Sequence, residues 1–307
     1  MKALIDGDII VYRAGFAAER MKYGVFVPPE DDFRATFDSK KEAMEWIKDQ
    51  ELIEDCLIDK WRDLQPVNHA FHNVNLIVEH VMDEVSKAFA HKSEVEFEIV
   101  LSGESNFRHD IAVTRPYKGN RDPNQQPTYK EQIKRFLREH WGAKVVEGIE
   151  ADDYLGIVQC SSKEGSTIIC TLDKDLDMIP GWHYNWVKED FYNVFPDEAI
   201  RIYWTQVLTG DSTDNIEGIP GIGPKKARPL VDQWEGELRY QIKDPTIEEL
   251  NNHLRSEVVE YYCDYFGDEG RSRFDEMSNL VWILREPLEE DYHDPEGEQE
   301  EGTVQQA

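Results

Sequence analysis

The chain opens on a short apolar run, KALID, that stops at Asp6; a run of this length bounded by charge predicts a buried strand. IIVYRAGFAAE then reads as a helix. Residues 20–70 break the rhythm, and their heart, KKEAMEWIKDQELIEDCLIDKWRDL, predicts a charged, partly helical insertion. Val74, Ile77, Val78, Val81, Val85 and Phe89 return to helical spacing. EFEIVLSGE predicts a buried strand running into Gly103 and Glu104. YKEQIKRFLREHW puts Ile133, Phe136 and Leu137 on one face of an amphipathic helix. AKVVEGIEADD reads as a strand leading into a helix, and STIICTLDKD as an apolar strand ending at Asp173. After Tyr203 the pattern is helical, with TIEELNNHLRSEVVEYYCDYF and SRFDEMSNLVWIL the clearest segments.

Strands alternating with helices predict an α/β fold, a mostly parallel central sheet flanked by helices. In such sheets the functional crevice lies at the carboxyl ends of the strands. Asp6, Glu104, Glu150 and Asp173 all fall at or just past such ends. The expected organisation is an α/β domain over 1–200 with an insert at about 20–70, a helical domain over 201–285 and an acidic tail over 286–307.

Composition alters this outline in its charge. The 307 residues are 40% hydrophobic and 32% charged, a soluble globular make-up with ample material for a core. No apolar run approaches the roughly 20 residues needed to cross a bilayer. MKALIDGDII lacks the apolar stretch and cleavage site of a signal peptide. Cys56, Cys160, Cys170 and Cys263 are too scattered for a zinc site or a disulfide framework, so a reducing cytoplasm is expected. A formal net charge of -29 argues against general adhesion to nucleic acid through a basic surface. Its distribution is uneven. From Arg108 to Lys144 there are nine Lys/Arg against four Asp/Glu, and KKAR at 225–228 is a second basic spot. From Glu286 onward there are nine acids and no Lys or Arg, which predicts a solvated, disordered tail.

Acids gather in four places: DGD (Asp6, Asp8), EADD (Glu150, Asp152, Asp153), DKDLD (Asp173, Asp175, Asp177) and GDSTD (Asp211, Asp214), with Glu104 a fifth contributor. Convergent carboxylates repel unless cations neutralise them, and all-oxygen donor sets suit Mg²⁺ or Mn²⁺. Two such ions about 4 Å apart are used for in-line attack on phosphodiesters. With 63 acids in the chain, any one cluster is equally well a solvated face. Asp6 and Asp173 resist that reading because each closes an apolar strand. The acids of EADD also complement a helix N-terminus, and spacing alone does not separate that role from metal ligation.

GIPGIGPKKA is not a phosphate-binding P-loop, since Pro224 stands where that motif needs Lys. A Gly-x-Gly turn opening a helix with Lys225, Lys226 and Ala227 fits a helix–hairpin–helix element instead. Its free N–H groups would hold DNA phosphates, and Ala227 would let two helices pack closely. The alternative is a plain Gly/Pro turn between helices.

Taken in order, these segments resemble the phage and bacterial 5′→3′ exonuclease/flap endonuclease family, the structure-specific 5′-nucleases. LIDGD is similar to the family's first strand and metal Asp, and PYKGNRD to its active-site Tyr-Lys-x-x-Arg segment. GIEADD and TLDKDLD resemble its next two acidic clusters, and GDSTDNIEGIPGIGPKKA its helix–three-turn–helix signature. The matched blocks run from Ala3 to Ala227; residues 20–70 and those after about 235 lie outside the resemblance.

The resemblance implies roles by position. Asp6, Glu150, Asp152 and Asp173 would bind a first metal and Asp153 would support the cluster. Asp175, Asp211 and Asp214 would bind or hold a second, the two ions being Mg²⁺ or Mn²⁺. Lys118 would contact the scissile phosphate, Arg121 would stabilise developing charge and Tyr117 would stack on a base near the 5′ end. Gly218, Gly221, Gly223, Lys225 and Lys226 would grip duplex DNA, with K⁺ held by hairpin carbonyls. Where the family has an Asp after the strand EIVLSGESNFR, this chain offers Glu104. Only 31 residues separate Lys118 from Glu150, a short arch like that of phage enzymes digesting duplex DNA from 5′ ends. The implied activity is metal-dependent 5′→3′ hydrolysis of double-stranded DNA at ends, nicks or flaps, extending to RNA–DNA hybrids. The implied setting is among replication proteins, in the host cytoplasm if the chain is phage-encoded. The competing readings are a PIN-type ribonuclease, a non-catalytic DNA-binding protein and a phosphohydrolase acting on small esters.

Overall fold

The computed structural model describes residues 1–27, 32–50, 56–90, 94–122 and 125–288. Among them the elements run β1 (Lys2–Asp6), α1 (Gly7–Ala17), β2 (Glu19–Val27), β3 (Asp32–Phe37), α2 (Lys40–Asp49), β4 (Leu57–Leu64), α3 (Val67–Ala88), β5 (Glu96–Asn106), α4 (Arg108–Ile111), α5 (Lys130–Trp141), β6 (Lys144–Gly148), α6 (Ala151–Ser161), β7 (Thr167–Cys170), β8 (Gly181–Asn185), β9 (Asp190–Val194), α7 (Pro196–Thr209), β10 (Gly210–Asp211), β11 (Ile216–Glu217), α8 (Pro224–Gln241), α9 (Ile247–Phe266) and α10 (Gly270–Val281). They fall into two compact units. Residues 1–5, 102–121 and 145 onward form the first, and 6–101 with 122–144 the second. From residue 289 the expected acidic tail lies outside the described residues.

The first unit carries the sheet ordered β6-β5-β1-β7-β8-β9. β1 runs parallel to β7 with Ile5 opposite Cys170, and β8 joins β7 in parallel with Ile168 opposite Trp182. β9 returns antiparallel to β8. Leu4, Ile5, Ile168 and Ile169 are fully buried, as strands covered on both faces require. This is the mostly parallel α/β sheet expected. β7 stops at Cys170, short of Asp173, which instead caps a 3-10 turn over Lys174–Met178.

Helices α7 to α10 follow, and their apolar faces meet in one core that includes Trp204, Val207, Trp234, Leu254, Tyr262 and Phe274. The buried Tyr262 hydroxyl is satisfied by donating to the Val207 carbonyl at 2.6 Å. Tyr117 and Met178 belong to the same core, so the loop bearing Tyr117 is packed as part of the helical cluster.

A buried ion pair ties three parts of this unit together. Arg108, just past β5, gives both terminal nitrogens to Asp153 on α6, at 2.6 and 2.7 Å. The same guanidinium donates to the carbonyls of Leu280 and Trp282 at the end of α10. Asp153 in turn accepts the Leu284 N–H at 3.0 Å. Such bidentate geometry, with the remaining donors used on carbonyls, is what offsets the desolvation of a buried pair.

In the second unit α1, α3 and α5 pack together. Phe71 stacks on Phe136 with ring centroids 4.5 Å apart, and Trp141 donates to Asn75 at 2.9 Å. The insert is partly helical, as expected, and is also partly strand. Lys40–Asp49 forms α2, and Leu57–Leu64 is a strand that pairs antiparallel with β2 from Glu19↔Leu64 to Phe26↔Leu57, β3 lying on the other side of β2. LIDKWRDL presents no continuous helical stripe, and the ladder from a strand some 40 residues earlier decides its state. Residues 51–55 of the quoted segment lie outside the described residues.

Replacing Arg108 by Met leaves the Asp153 carboxylate buried without its partner. A loss of about 3–5 kcal/mol is expected in urea unfolding, with much of it recovered in the double variant Arg108→Met/Asp153→Leu.

Candidate active site

The site in the first unit is built outward from the start of α6. Glu150 is the N-cap of that helix, in extended conformation, and Asp153 accepts its N–H at 3.0 Å, closing a capping box. The Ala151 N–H is given to Ser102 on β5 at 2.9 Å. These bonds fix where the Glu150 carboxylate points. Asp153 is 0% exposed and spends its oxygens on Arg108, the helix cap and Leu284, so it supports the cluster from beneath. Asp152 lies half-buried in the first turn of the same helix.

Glu150 is met by four groups, one of them Arg108, whose guanidinium lies 3.6 Å from the carboxylate. Lys118 Nζ and Asn106 Nδ2 donate to one oxygen, the latter at 3.2 Å, and the Tyr117 hydroxyl lies 2.8 Å from the other. The same hydroxyl is 2.9 Å from Asp214, which also receives Arg121 at 2.6 Å and has Lys118 Nζ at 3.6 Å. A phenol has one proton to give, so only one of the two carboxylates can receive it at a time. Lys118 and Arg121 supply the charge that lets the pair stand this close. Burial, then the charges of Glu150 and Asp214, push the Tyr117 hydroxyl far above its ordinary range and keep it neutral. Tyr117 is 4% exposed, which corrects the expected stacking role: the ring is core, edge-on to His109, and offers no open face to a base.

Asp173 and Asp175 join from the turn after β7. Asp173 Oδ1 accepts the Asp175 N–H at 2.9 Å. Burial raises the Asp173 carboxyl, opposed by that hydrogen bond and reinforced by Asp214 and Asp211. Asp175 is pushed up to about 7, first by burial, then by Asp173 and Asp211. The acids from the two segments therefore feel one another. Asp211 accepts the Thr213 N–H at 2.7 Å, which shapes the turn between β10 and β11.

Two further expected ligands are carried by other elements. Glu104 lies exposed within β5, which runs on to Asn106, and its N–H is given to Glu147 at 3.3 Å. Asn106, two residues along the same strand face, is the residue that reaches Glu150. Asp6 belongs to the second unit, where it is 2% exposed and caps α1 by accepting the Ile9 N–H at 3.2 Å. Its neighbour Ile5 pairs with Cys170, so Asp6 leaves β1 at the end of the sheet from which the Asp173 turn departs.

The glycine loop follows β11. An added Cβ on Gly218 would collide with the Gly210 backbone, so these two segments need glycine at their closest approach. Gly221 has φ of 80°, and Gly223 is the N-cap of α8 with Pro224 as its first helical residue. Nothing lies within 4 Å of a Cβ built on Gly221 or Gly223. Lys225 and Lys226 are exposed, and Lys226 Nζ donates to the Gly221 carbonyl at 2.9 Å. Ala227 is fully buried, as close helix packing requires.

An all-carboxylate set held together by its own lysine and arginine, with two members raised by burial and then by their acidic neighbours, fits hard divalent cations in its donor chemistry. Among the described residues no three His, Cys, Asp or Glu side chains already form a metal-holding group. Lys118 and Arg121 take the neutralising part instead.

The raised Asp175 carboxyl has a consequence for stability. Its contribution is present below the unfolded value of 3.8 and is lost as pH rises through about 7. In EDTA, Asp175→Asn is expected to melt higher than wild type at pH 8, by roughly 2–4 °C for each kcal/mol relieved, with the gap closing towards pH 4. Melting curves across that range check it.

No family model matches the chain. It is 32% identical over 172 residues to the thermostable DNA polymerase I of Thermus aquaticus, covering 52% of this chain and 20% of that protein. It is 32% identical over 156 residues to a 5′-3′ exonuclease of Buchnera aphidicola subsp. Schizaphis graminum, covering 43% of this chain and 50% of that one. The chain thus spans half or less of these curated relatives. Among solved structures, the T5 5′-exonuclease with bound zinc aligns at TM-score 0.44 and 15% identity over 93% of this chain and 100% of that one. Over the stretch that these sequences share, the chain is similar to proteins named 5′-3′ exonuclease and flap endonuclease.

Proposed function

We propose that the chain is a metal-dependent 5′→3′ exonuclease on double-stranded DNA that frees 5′-phosphorylated nucleotides. The observation that carries this reading is the meeting of Lys118 and Arg121 with Glu150 and Asp214, beside the raised acids Asp173 and Asp175. The exposed glycine loop that opens α8 supports a duplex substrate over a small phosphate ester. Flap endonuclease and RNase H activity belong to the same reading, as does a role beside replication proteins. A cytoplasmic setting accords with the absence, among the described residues, of any helix long and apolar enough to cross a membrane.

Asp6, Glu150, Asp152 and Asp173 would hold one Mg²⁺ or Mn²⁺, and Asp175, Asp211 and Asp214 a second. Bound there, divalent ions supply Lewis-acid polarisation of the phosphate and a more acidic water. The chain's own residues do the positioning. Lys118 and Arg121 already stand against carboxylates at the site, and a phosphate brought there competes for the same two cations. Lys118 is the contact to the scissile phosphate, and Arg121 the donor to charge that develops in the transition state. Tyr117 keeps Glu150 and Asp214 at a fixed spacing. Gly218, Gly221, Gly223, Lys225 and Lys226 take the duplex backbone through N–H groups and side-chain charge, with K⁺ at the hairpin carbonyls.

Linear duplex labelled at either end tests the reaction. With Mg²⁺ the 5′ label is expected to leave first, with no release in EDTA or from Asp173→Asn; equal loss of both labels, or wild-type cleavage by that variant, overturns the assignment. Lys225→Glu with Lys226→Glu is expected to weaken duplex binding. It should also lower the slope of log affinity against log salt by up to about 2. An unchanged slope removes the hairpin from the DNA path.

A further inference from the structure

Two residues other than glycine take the left-handed conformation where the two halves of the site meet, Lys118 with φ of 55° and Asn215 with φ of 62°. Such backbone persists only where its surroundings over-determine it. Pro116 to Gly119 form a turn closed by the Gly119 N–H on the Pro116 carbonyl at 2.9 Å, with Lys118 in the third position. The positive φ in that position is type II geometry, which favours glycine, and lysine is poorly suited to it. The added restraint comes from the β10–β11 turn. Asn215 Nδ2 donates to the same Pro116 carbonyl at 2.9 Å, and the Lys118 N–H is given to the Asp214 carbonyl at 2.9 Å. The two left-handed residues therefore clasp one another. Asn120 Nδ2 on the Ser212 carbonyl at 2.7 Å, and Arg115 on Glu217 at 2.7 Å, close the clasp on either side.

We propose that Asn215 is a positioning residue for Lys118: its amide holds the Pro116 carbonyl so that the strained turn presents the Lys118 ammonium between Glu150 and Asp214. Asparagine suits both demands, since it tolerates the left-handed region better than most residues and carries the donor. The role rests on the reading above, in which Lys118 meets the scissile phosphate.

Asn215→Gly is the informative variant, because glycine accepts the conformation and lacks only the donor. With Mg²⁺ and 5′-labelled duplex, kcat is expected to fall by roughly ten- to a hundred-fold, with KM and melting temperature close to wild type. In a Lys118→Ala background the same change is expected to cost no more than about threefold, because its effect runs through the missing ammonium. In protein without metal, hydrogen exchange at the Lys118 amide is expected to quicken while global stability holds. Wild-type kcat in Asn215→Gly, or an equal loss with and without Lys118, overturns the proposal. Should the wild-type chain cleave no DNA, the activity reading fails by itself. The amide then decides: faster exchange in Asn215→Gly upholds the clasp, and unchanged exchange overturns it.

Discussion

The fold's foundation is a charge placed where water cannot reach it. Asp153 is enclosed on α6 and would be untenable there without Arg108, which brings a rigid fork of donors. Everything above the pair inherits its geometry. Asp153 caps the helix whose first residue is Glu150, and Arg108 grips the carbonyls that end α10. The acids of the site can crowd together because the layer beneath is already neutral. The chain then spends Lys118 and Arg121 on the upper layer, so a protein of net charge -29 builds one spot where its own cations face inward.

This arrangement accords with the proposal that so acidic a chain acts on a polyanion. Long-range repulsion limits adhesion along the general surface, while the residues that would touch phosphate are few and fixed. The basic hairpin residues stand at the start of an 18-residue helix, where the positive end of the helix dipole adds to their charge. Specific grip and general avoidance then come from one charge distribution.

Much of this could be read before any coordinates. Apolar runs broken by single acids marked β1 and the β7 turn, and the order of acidic clusters marked the site. What escaped had no local signal. Glu104 and Asn106 share a strand face, and only the true length of β5, three residues beyond Gly103, tells which one reaches Glu150. Leu57–Leu64 became a strand through pairing with β2, information held far away in the chain. Arg108 carries no periodicity. The nearest clue was its partner: Asp153 is followed by Tyr154, Leu155, Gly156 and Ile157, all buried, and an acid on so apolar a face calls for a cation. Tyr117 was expected by resemblance to stack on a base, whereas its neighbours in space, from α7 to α10, lie far along the chain.

The reach of Arg108 also sets an order of events during synthesis. Its carbonyl partners are Leu280 and Trp282, and the acid it neutralises waits for the Leu284 N–H. A ribosome that has threaded out every acid of the site, from Asp6 to Asp214, still carries a nascent chain whose keystone is unset. The buried layer is complete only when residues 280–284 are in place. A chain ending before residue 280 therefore lacks the carbonyls and the N–H that complete the Arg108–Asp153 pair.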